Sequence, residues 1–232
     1  MTRFRKKLHG TAPALAGGES VPRSATSGAA LSARTGRAAE RRATILAAAL
    51  HEFSAAGFAA TRLEDVARRA GVAKGTIYLY FKDKEALFQD LIRFNLMPVM
   101  GAFEAALKSD LPLRTIVDQA IEIFVREIYG THRKEVMRLI ITEGARFPSL
   151  AEFYYREVLA PMLAVVRARL TRALDRGEIK DKTLIRFPQV IGAASVMVVV
   201  WHGLFDRFEP LDVRAILRLH FEGLLGNAEG RS

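Results

Sequence analysis

The 232-residue sequence contains no cysteine, which excludes disulfide bonds and thiolate metal sites. This absence is typical of a cytoplasmic protein. The sequence also lacks a P-loop and a G-x-G-x-x-G run, which are common phosphate-binding motifs. No two histidines have the i, i+4 spacing of a metal site on a helix; they are His9, His51, His132, His202 and His220. We therefore expect no catalytic site, no metal and no cofactor.

One acidic residue lies among apolar neighbours and has two interpretations. Glu143 is either a buried acid tuned for chemistry or the partner of a nearby arginine, such as Arg138 or Arg146. The second arrangement is the more common one, so we do not assign a catalytic role.

Strand-like alternation is absent as well, and apolar residues recur at helical spacing through most of the chain. The composition, 50% hydrophobic and 26% charged, is ordinary for a soluble globular protein. The sequence therefore predicts an all-α protein of about nine helices. Its net charge of +10 suits a polyanionic partner.

Positive charge is concentrated at the N-terminal end. Residues 1–36 carry six basic residues and one acidic residue, a net charge of +5. They include Pro13 and Pro22 and show no sustained period, so we expect a disordered basic tail. Whether this tail contacts nucleic acid or is a passive leader stays open. No apolar segment follows the basic start, as a secretion signal would require.

The stretch from Thr61 to Leu87 predicts two short helices joined by a tight turn, followed by the start of a third. Thr61 and Glu64 have the T-x-x-E spacing of a capping box, which begins a helix. Gly71 is suited to end that helix, because glycine tolerates the left-handed conformation of a C-cap. A second helix follows over Lys74–Tyr80. The pattern is that of a helix-turn-helix.

The outer face of the second helix carries groups that suit nucleic acid. Cations, hydroxyls and phenols hydrogen-bond phosphates and base edges, and this helix presents Lys74, Thr76, Tyr78 and Tyr80. The helix before the helix-turn-helix stretch, expected over residues 37–56, has arginines in its first turns. They form either a solvated face or phosphate contacts.

Residues 43–87 resemble the DNA-binding domain of the TetR/AcrR family of bacterial transcriptional regulators. The matching residues are Ile45, Leu46, Phe53, Gly57, Phe58, Thr61, Val66, Ala67, Ala70, Gly71, Val72, Lys74, Gly75, Thr76, Ile77, Tyr78, Tyr80, Phe81, Lys84, Glu85, Ala86 and Leu87. One departure is Ala73, where the family usually has serine or threonine. Alanine at an N-cap costs about 1 kcal/mol relative to serine.

The resemblance implies three segments: the tail over residues 1–36, a helix-turn-helix DNA-binding domain over 37–83, and a helical ligand-binding and dimerisation domain over 84–232. We expect Thr76 and Tyr78 to contribute specificity, and Lys74, Tyr80 and Lys84 to hold phosphates. The full set of expected DNA contacts is Arg37, Arg42, Thr61, Arg62, Lys74, Gly75, Thr76, Tyr78, Tyr80 and Lys84.

The C-terminal part contains an uncharged run, from Gln189 to Phe205 inside a helix expected over Thr183–Arg207. A membrane span needs about 18–20 apolar residues, but Gln189 and His202 interrupt the run and it stands alone, so we expect no membrane partner. A helix that is apolar on all sides is instead buried in a core and an interface at once. We expect a homodimer through Val190, Ala194, Met197, Val198, Trp201, Leu217 and Phe221.

An effector cavity is expected between the helices of residues 95–180. Its candidate lining is Phe103, Phe124, Met137, Ile141, Phe147 and Tyr154. Pockets and cores use the same apolar and aromatic residue types, so only the resemblance favours a pocket over a packed core.

Three functions are consistent with these features. The resemblance implies a ligand-responsive transcriptional regulator, a repressor released from a palindromic operator in double-stranded DNA by a small apolar or amphipathic molecule. The alternatives are a general DNA-binding protein without a ligand, and an α-helical small-molecule-binding protein that keeps the helix-turn-helix as a scaffold.

Overall fold

The computed structural model describes residues 24–226, with side chains from residue 34 onward. These residues form ten helices and no strand, and they confirm the all-α class. Nine of the ten are long. Residues 1–23, which hold most of the predicted tail, and 227–232 lie outside the described part.

The first helix, α1, spans Ser24–Ala60 and is kinked at Gly57, whose φ is +78°. It begins earlier than the predicted residue 37, so residues 24–36 are helical rather than part of a tail. No proline lies between Pro22 and Pro98, and alanines, the best helix formers, recur in this segment. The chain divides into two compact units between Arg41 and Arg42, and each is considered separately.

The ten helices comprise eleven α-helical segments, because α7 and α8 belong to one continuous rod. Those after α1 are α2 (Leu63–Arg69), α3 (Lys74–Tyr80), α4 (Lys84–Lys108), α5 (Leu113–Ile123), α6 (Arg133–Glu143), α7 (Pro148–Tyr154), α8 (Ala160–Asp175), α9 (Thr183–Arg186), α10 (Ala193–Leu204) and α11 (Val213–Leu225). A π-helical segment, Phe124–Tyr129, continues α5, and another, Tyr155–Leu159, joins α7 to α8 as one rod. A 3₁₀ turn, Pro188–Gly192, leads into α10.

Helix starts agree only in part with the sequence patterns. Asp83 caps α4, because its carboxylate accepts the Ala86 N–H at 2.7 Å, as predicted. The capping box at Thr61 is wrong: Arg62 is the N-cap of α2, and no side chain caps it. Ser149 and Glu152 have the same capping-box spacing and predict a second helix start, which is also wrong: α7 already begins at Pro148, and its N-cap is Phe147.

The long helix expected over Thr183–Arg207 is broken. Proline has no N–H and disfavours the α conformation in the residue before it. Phe187, immediately before Pro188, has φ −123° and ψ 60°, and the chain therefore turns between α9 and the 3₁₀ segment. The apolar run of α10 is correspondingly short.

The core consists of three hydrophobic clusters in the unit that begins at Arg42. The first joins α1–α4 to α6 and α7 and includes Phe53, Phe88 and Leu139. The second joins α4, α5, α10 and α11, and the third joins α5, α8 and α9. Helix α4 contributes Leu87 to the first cluster and Val99 to the second, so it connects the helix-turn-helix to the C-terminal helices.

One stretch, Arg34–Ala60 of α1, is long and apolar enough by composition to cross a membrane. Its apolar residues Ile45, Leu46 and Phe53 are fully buried in the first cluster. Core helices of globular domains pass the same test, so the stretch is explained by packing. The segment Pro188–Leu204, which holds most of the uncharged run, is shorter than such a span.

Candidate DNA interface and C-terminal faces

The outward face of α3 is set by one buried residue on its opposite side. Ile77 is fully buried, and residues two positions away on a helix point in nearly the opposite direction. Gly75 and Leu79 therefore point outward, with Tyr78 next to Leu79, and all three are exposed. Lys82 follows two residues after the end of α3, and its side chain is 83% exposed. Among the described residues, no other element buries the outward face.

Several predicted contacts lie on or near this face. Lys74 is exposed and pairs with Glu64 of α2 at 2.7 Å; this hydrogen bond raises the pKa of Lys74. Thr76 is half-buried, and Tyr80 is half-buried against the first cluster. Arg62 is exposed at the start of α2. The structure thus brings the α3 candidates and Arg62 to the surface of one helix-turn-helix.

Thr61 does not belong to this surface. Its side chain is only 4% exposed, and its hydroxyl donates to the carbonyls of Gly57 at 2.7 Å and Glu52 at 3.1 Å. The expected DNA contact is therefore corrected: Thr61 fixes the turn after α1. Sequence spacing could not show this, because the accepting carbonyls belong to the preceding helix.

Two predicted cations have partners within the protein. The Arg42 guanidinium forks onto Asp90 of α4, with Nε 2.8 Å from Oδ2. The Lys84 ammonium donates to the Ala59 carbonyl at 2.8 Å and lies 4.7 Å from the Phe58 ring centroid. Burial lowers the pKa of Lys84. A phosphate contact by either residue would have to compete with these interactions.

The remaining predicted contact, Arg37, is exposed on α1 within the first compact unit. Sequence reasoning missed other exposed groups: Arg68, Leu79 and Lys82. Lys82 lies two residues beyond the end of α3, where the chain is extended at Phe81, so helical spacing gave no signal for it. Nothing in the sequence distinguished exposed Leu79 from a core leucine.

The six predicted cavity residues do not line one cavity. Phe124 is buried in the second cluster, and Phe103 and Met137 pack against it. Phe147 and Tyr154 pack instead against the first cluster, and Ile141 is exposed on α6. Burial raises the pKa of Tyr154. The prediction is thus corrected for Ile141, Phe147 and Tyr154, because apolar periodicity alone does not show which cluster a helix face meets.

Two open pockets lie elsewhere in the described part. A groove of about 590 Å³ lies between α4 and α5, and its lining includes Ala102, Ala105 and Glu122. A second, of about 360 Å³, lies between α5 and α11 beside Arg114 and Phe221. None of the six predicted cavity residues lines either of these two pockets.

The predicted dimer residues divide into two groups. Ala194, Val198 and Leu217 are buried in the second cluster of the protomer itself, which corrects their assignment to an interface. Phe221 is half-buried against the same cluster, and the Trp201 indole donates to the Glu209 carbonyl at 2.8 Å.

Other side chains of the C-terminal helices are exposed and apolar. We call Val196, Met197 and Leu204 of α10 together with Leu219 of α11 the C-terminal face. The first three recur at the i, i+1 and i+8 spacing of one helix side. Val190, a predicted interface residue, is exposed in the 3₁₀ turn before α10. Sequence reasoning found Met197 and missed the other three members.

Glu143 is buried at the end of α6, where it meets the helix-turn-helix. Neither expected arginine pairs with it: Arg138 pairs with Glu135 at 2.7 Å, and Arg146 lies 5.9 Å from the Phe147 ring. One carboxylate oxygen has no hydrogen-bond partner, and a Cβ on Gly57 would lie 3.0 Å from the other. Within the described residues, no group of three or more potential metal ligands is present.

Two family models match this chain, one over the helix-turn-helix and one over the C-terminal helices. One described as bacterial regulatory proteins of the tetR family matches residues 45–91, and one described as the tetracyclin repressor-like C-terminal domain matches residues 112–219. The HTH-type transcriptional regulator YhgD of Bacillus subtilis is 30% identical over 190 residues, which is 78% of this chain and 92% of the relative.

The chain belongs to the TetR family of bacterial transcriptional regulators. It is a DNA-binding regulator with a helix-turn-helix, as the resemblance implied. A second relative, the fatty acid metabolism regulator protein of Bacillus subtilis, is 26% identical over 161 residues, covering 68% of this chain and 81% of the relative.

Solved structures of TetR-family regulators have the same fold. FadR of Bacillus subtilis in complex with stearoyl-CoA matches with a TM-score of 0.64 and 23% identity, over 80% of this chain and 98% of FadR. FadR of Bacillus halodurans matches with a TM-score of 0.66 and 23% identity, over 82% and 97%. At this identity the likeness concerns the fold alone.

Proposed function

We propose that this TetR-family member is a ligand-responsive repressor that binds a palindromic operator as a homodimer and is released by an apolar or amphipathic molecule. The observation that carries the proposal is the outward face of α3. It presents Tyr78 and Leu79 to solvent while Ile77 anchors it to the core, and exposed Lys82 follows just beyond its end. A short helix with one buried anchor and an uncovered polar face can enter a major groove.

The contact set that follows differs from the one expected from sequence. Thr76 and Tyr78 contribute base contacts, and Lys74, Tyr80 and Lys82 contact phosphates. Lys82 replaces Lys84 in this role because the Lys84 ammonium is held by the Ala59 carbonyl and the Phe58 ring, whereas Lys82 is 83% exposed and its ion pair with Asp83 is long, at 3.8 Å. Arg37 and Arg62 are exposed and remain candidate phosphate contacts, and Gly75 permits close approach.

Dimerisation is proposed through the C-terminal face. One recognition helix reads few base pairs, so two related copies give affinity and specificity, with half-sites about one helical turn or a multiple apart. Val196, Met197 and Leu204 are apolar, exposed and uncharged over three turns of α10. Exposed apolar patches mark association sites, and a two-fold interface uses the same patch on both copies.

The effector site is proposed at the second cluster, beside Phe124. Phe103 and Met137 from α4 and α6 pack there, and Phe124 begins the π-helical segment that continues α5. Segments of this kind occur frequently at functional sites. The relatives include a fatty acid metabolism regulator, and one solved structure holds stearoyl-CoA. We therefore propose a long-chain acyl compound as the first effector class to test.

Helix α6 is the proposed route from this site to the helix-turn-helix. At its N-terminal end, His132 Nε2 lies 2.8 Å from Asn95 Oδ1, and Arg133 Nε donates to the Asn95 carbonyl at 2.9 Å. These contacts link α6 to the middle of α4. Beyond its other end, the Phe147 ring meets the Phe58 ring edge-on at 4.7 Å between centroids. A shift of α6 would therefore move both α4 and the end of α1.

Release requires that the effector bind one pose of α6 more tightly than the other. Coupling free energies of this kind are typically about 1–3 kcal/mol. We place the regulator in the cytoplasm, where its operator would be, and propose no enzymatic activity, in keeping with relatives that are regulators.

Genomic footprinting with the purified protein tests the proposal. We expect protection at a few discrete palindromic sites, and weaker protection when stearoyl-CoA is added. Uniform protection along DNA would indicate a general DNA-binding protein instead. If protection occurs at discrete sites but no acyl compound weakens it, operator binding is supported and the proposed effector class is wrong.

A further inference from the structure

The side chain of Leu79 is the most exposed large apolar group in the described part of the chain, at 83%. It lies on α3 two residues from fully buried Ile77, so it points almost directly away from the core. No cluster of the protein includes it. Single exposed leucines are ordinary on protein surfaces, so exposure alone does not indicate a role.

A glycine one turn before Leu79 indicates that another molecule approaches this side of α3. Gly75 lies one turn before Leu79 on the same side of α3, and its φ is not positive. A Cβ there would meet no protein atom within 4 Å. Glycine inside a helix is less favourable than alanine, because it loses more conformational freedom on folding. Packing among the described residues therefore does not explain why residue 75 is a glycine. Close approach of another molecule to α3 would explain it.

The groups around Leu79 restrict what that molecule offers. The same helix-turn-helix exposes Lys74 at the start of α3, Tyr78 next to Leu79, and Lys82 just beyond the end of the helix, and cations and a phenol suit a phosphate-lined groove. Leucine cannot hydrogen-bond a phosphate or a base edge. The apolar group that the major groove presents is the C5-methyl of thymine.

We propose that Leu79 is a specificity-determining residue that reads one thymine in each operator half-site through its C5-methyl group, and that Gly75 lets the base edge approach. The inference rests on the proposed function, since it requires α3 to lie in the major groove. It adds a preference for thymine over cytosine at one position. Burial of one methyl-sized group corresponds to about a fourfold change in affinity per half-site.

Uracil provides the test, because it differs from thymine only by that methyl. The probe is a duplex that the full-length protein selects from a random-sequence library, with each thymine replaced in turn by uracil. We expect one position per half-site where uracil weakens binding of the unchanged protein about fourfold. At that position Leu79→Ala should bind thymine and uracil equally, whereas Leu79→Met, which keeps an apolar side chain, should retain the difference.

Melting temperatures control for folding. Leu79 is exposed, so its variants should melt like the unchanged protein, and Gly75→Ala should melt no lower while binding the operator more weakly. An equal uracil penalty in the unchanged protein and in Leu79→Ala would overturn the role of Leu79. So would the absence of any uracil-sensitive position. Failure of the unchanged protein to select any sequence would instead overturn the proposed function.

Discussion

Two surfaces of this regulator expose apolar side chains, and they differ in their surroundings. On α3, exposed Leu79 lies next to Tyr78, with Lys74 at the start of the helix and Lys82 just beyond its end. On α10, Val196, Met197 and Leu204 recur along one helix side within an uncharged run. The same kind of residue therefore indicates two different partners. An apolar group framed by cations suits a groove lined with phosphates, whereas a continuous apolar face suits another protein surface.

The comparison also explains why the α10 face is assigned to a second copy of the chain. The inner side of α10, with Ala194 and Val198, packs against other helices of the protomer. The outer side of α10 is also apolar. A helix that is apolar all round must be covered on both sides. The α3 helix has only one buried residue, Ile77, and needs no cover of this kind.

The largest expected effect comes from a charge on the C-terminal face. Met197→Glu should dissociate the dimer at micromolar concentration, because a buried unpaired charge costs about 3–5 kcal/mol. Operator affinity should fall at least roughly a hundredfold on that argument. Sedimentation and operator titration measure the two changes together.

Ile141→Glu is the matched control. Ile141 and Met197 are both apolar and both 40% exposed, but Ile141 lies on α6, outside the C-terminal face. This variant should remain dimeric. A monomeric unchanged protein, or a dimeric Met197→Glu protein, would contradict the proposed interface.

The next effect separates Lys84, the lysine that the sequence assigns to a phosphate, from Lys82, which it does not. Lys82→Ala should weaken operator binding about tenfold and make the slope of log K against log salt shallower by about 1.8, because the dimer loses two phosphate contacts at about 0.9 each. Lys84→Ala should leave the slope unchanged and lower the melting temperature, because it removes the hydrogen bond to Ala59 and the contact with Phe58. Salt titrations of both variants decide between them, and a shallower slope for Lys84→Ala would restore the original expectation.

Local signals made the helix-turn-helix predictable. The bounds of α3 agree with the predicted Lys74–Tyr80; Asp83 caps α4, and Gly71 has the left-handed φ of +66° that a helix end favours. Each of these depends on residues close in sequence. The Thr61 prediction was wrong because its hydroxyl donates to the carbonyls of Glu52 and Gly57 in the preceding helix and accepts no N–H of α2.

The C-terminal region was less predictable because the sequence does not show which helices pack against each other there. The periodicity of α10 indicates an apolar helix, yet it does not show which side faces the protomer, so Val198 and Met197 were assigned alike. Phe124 and Phe147 have the same chemistry, but one packs near α10 and the other near α1. The break at Pro188 was readable from sequence and was overlooked within a strongly apolar run.

A smaller effect tests whether the two regions communicate through α6. In Phe58→Leu and Phe147→Leu proteins, the edge-on ring pair is lost, which is worth about 0.5–1.5 kcal/mol. The ratio of operator affinity without stearoyl-CoA to that with it should then be several-fold smaller than in the unchanged protein. The double variant should add little, because either change alone removes the pair.

Tyr155→Leu removes an exposed aromatic ring from the segment between α7 and α8 and serves as the control. Its response to stearoyl-CoA should match that of the unchanged protein. If the two phenylalanine variants also respond normally, the contact is structural and the coupling does not pass through it.

The smallest expected effect concerns the start of α3. Ala73 is its N-cap, with the extended φ of −64° and ψ of 146°, and no side chain caps the helix. Ala73→Ser should stabilise the protein by about 1 kcal/mol, and Ala73→Gly by nearly as much, because glycine is also favourable at an N-cap. Only serine adds a hydroxyl that can reach a phosphate. Operator affinity should therefore rise for Ala73→Ser beyond that for Ala73→Gly, although both melt higher. Equal affinities would show that the gain is confined to the stability of the fold and that a side chain at position 73 makes no phosphate contact.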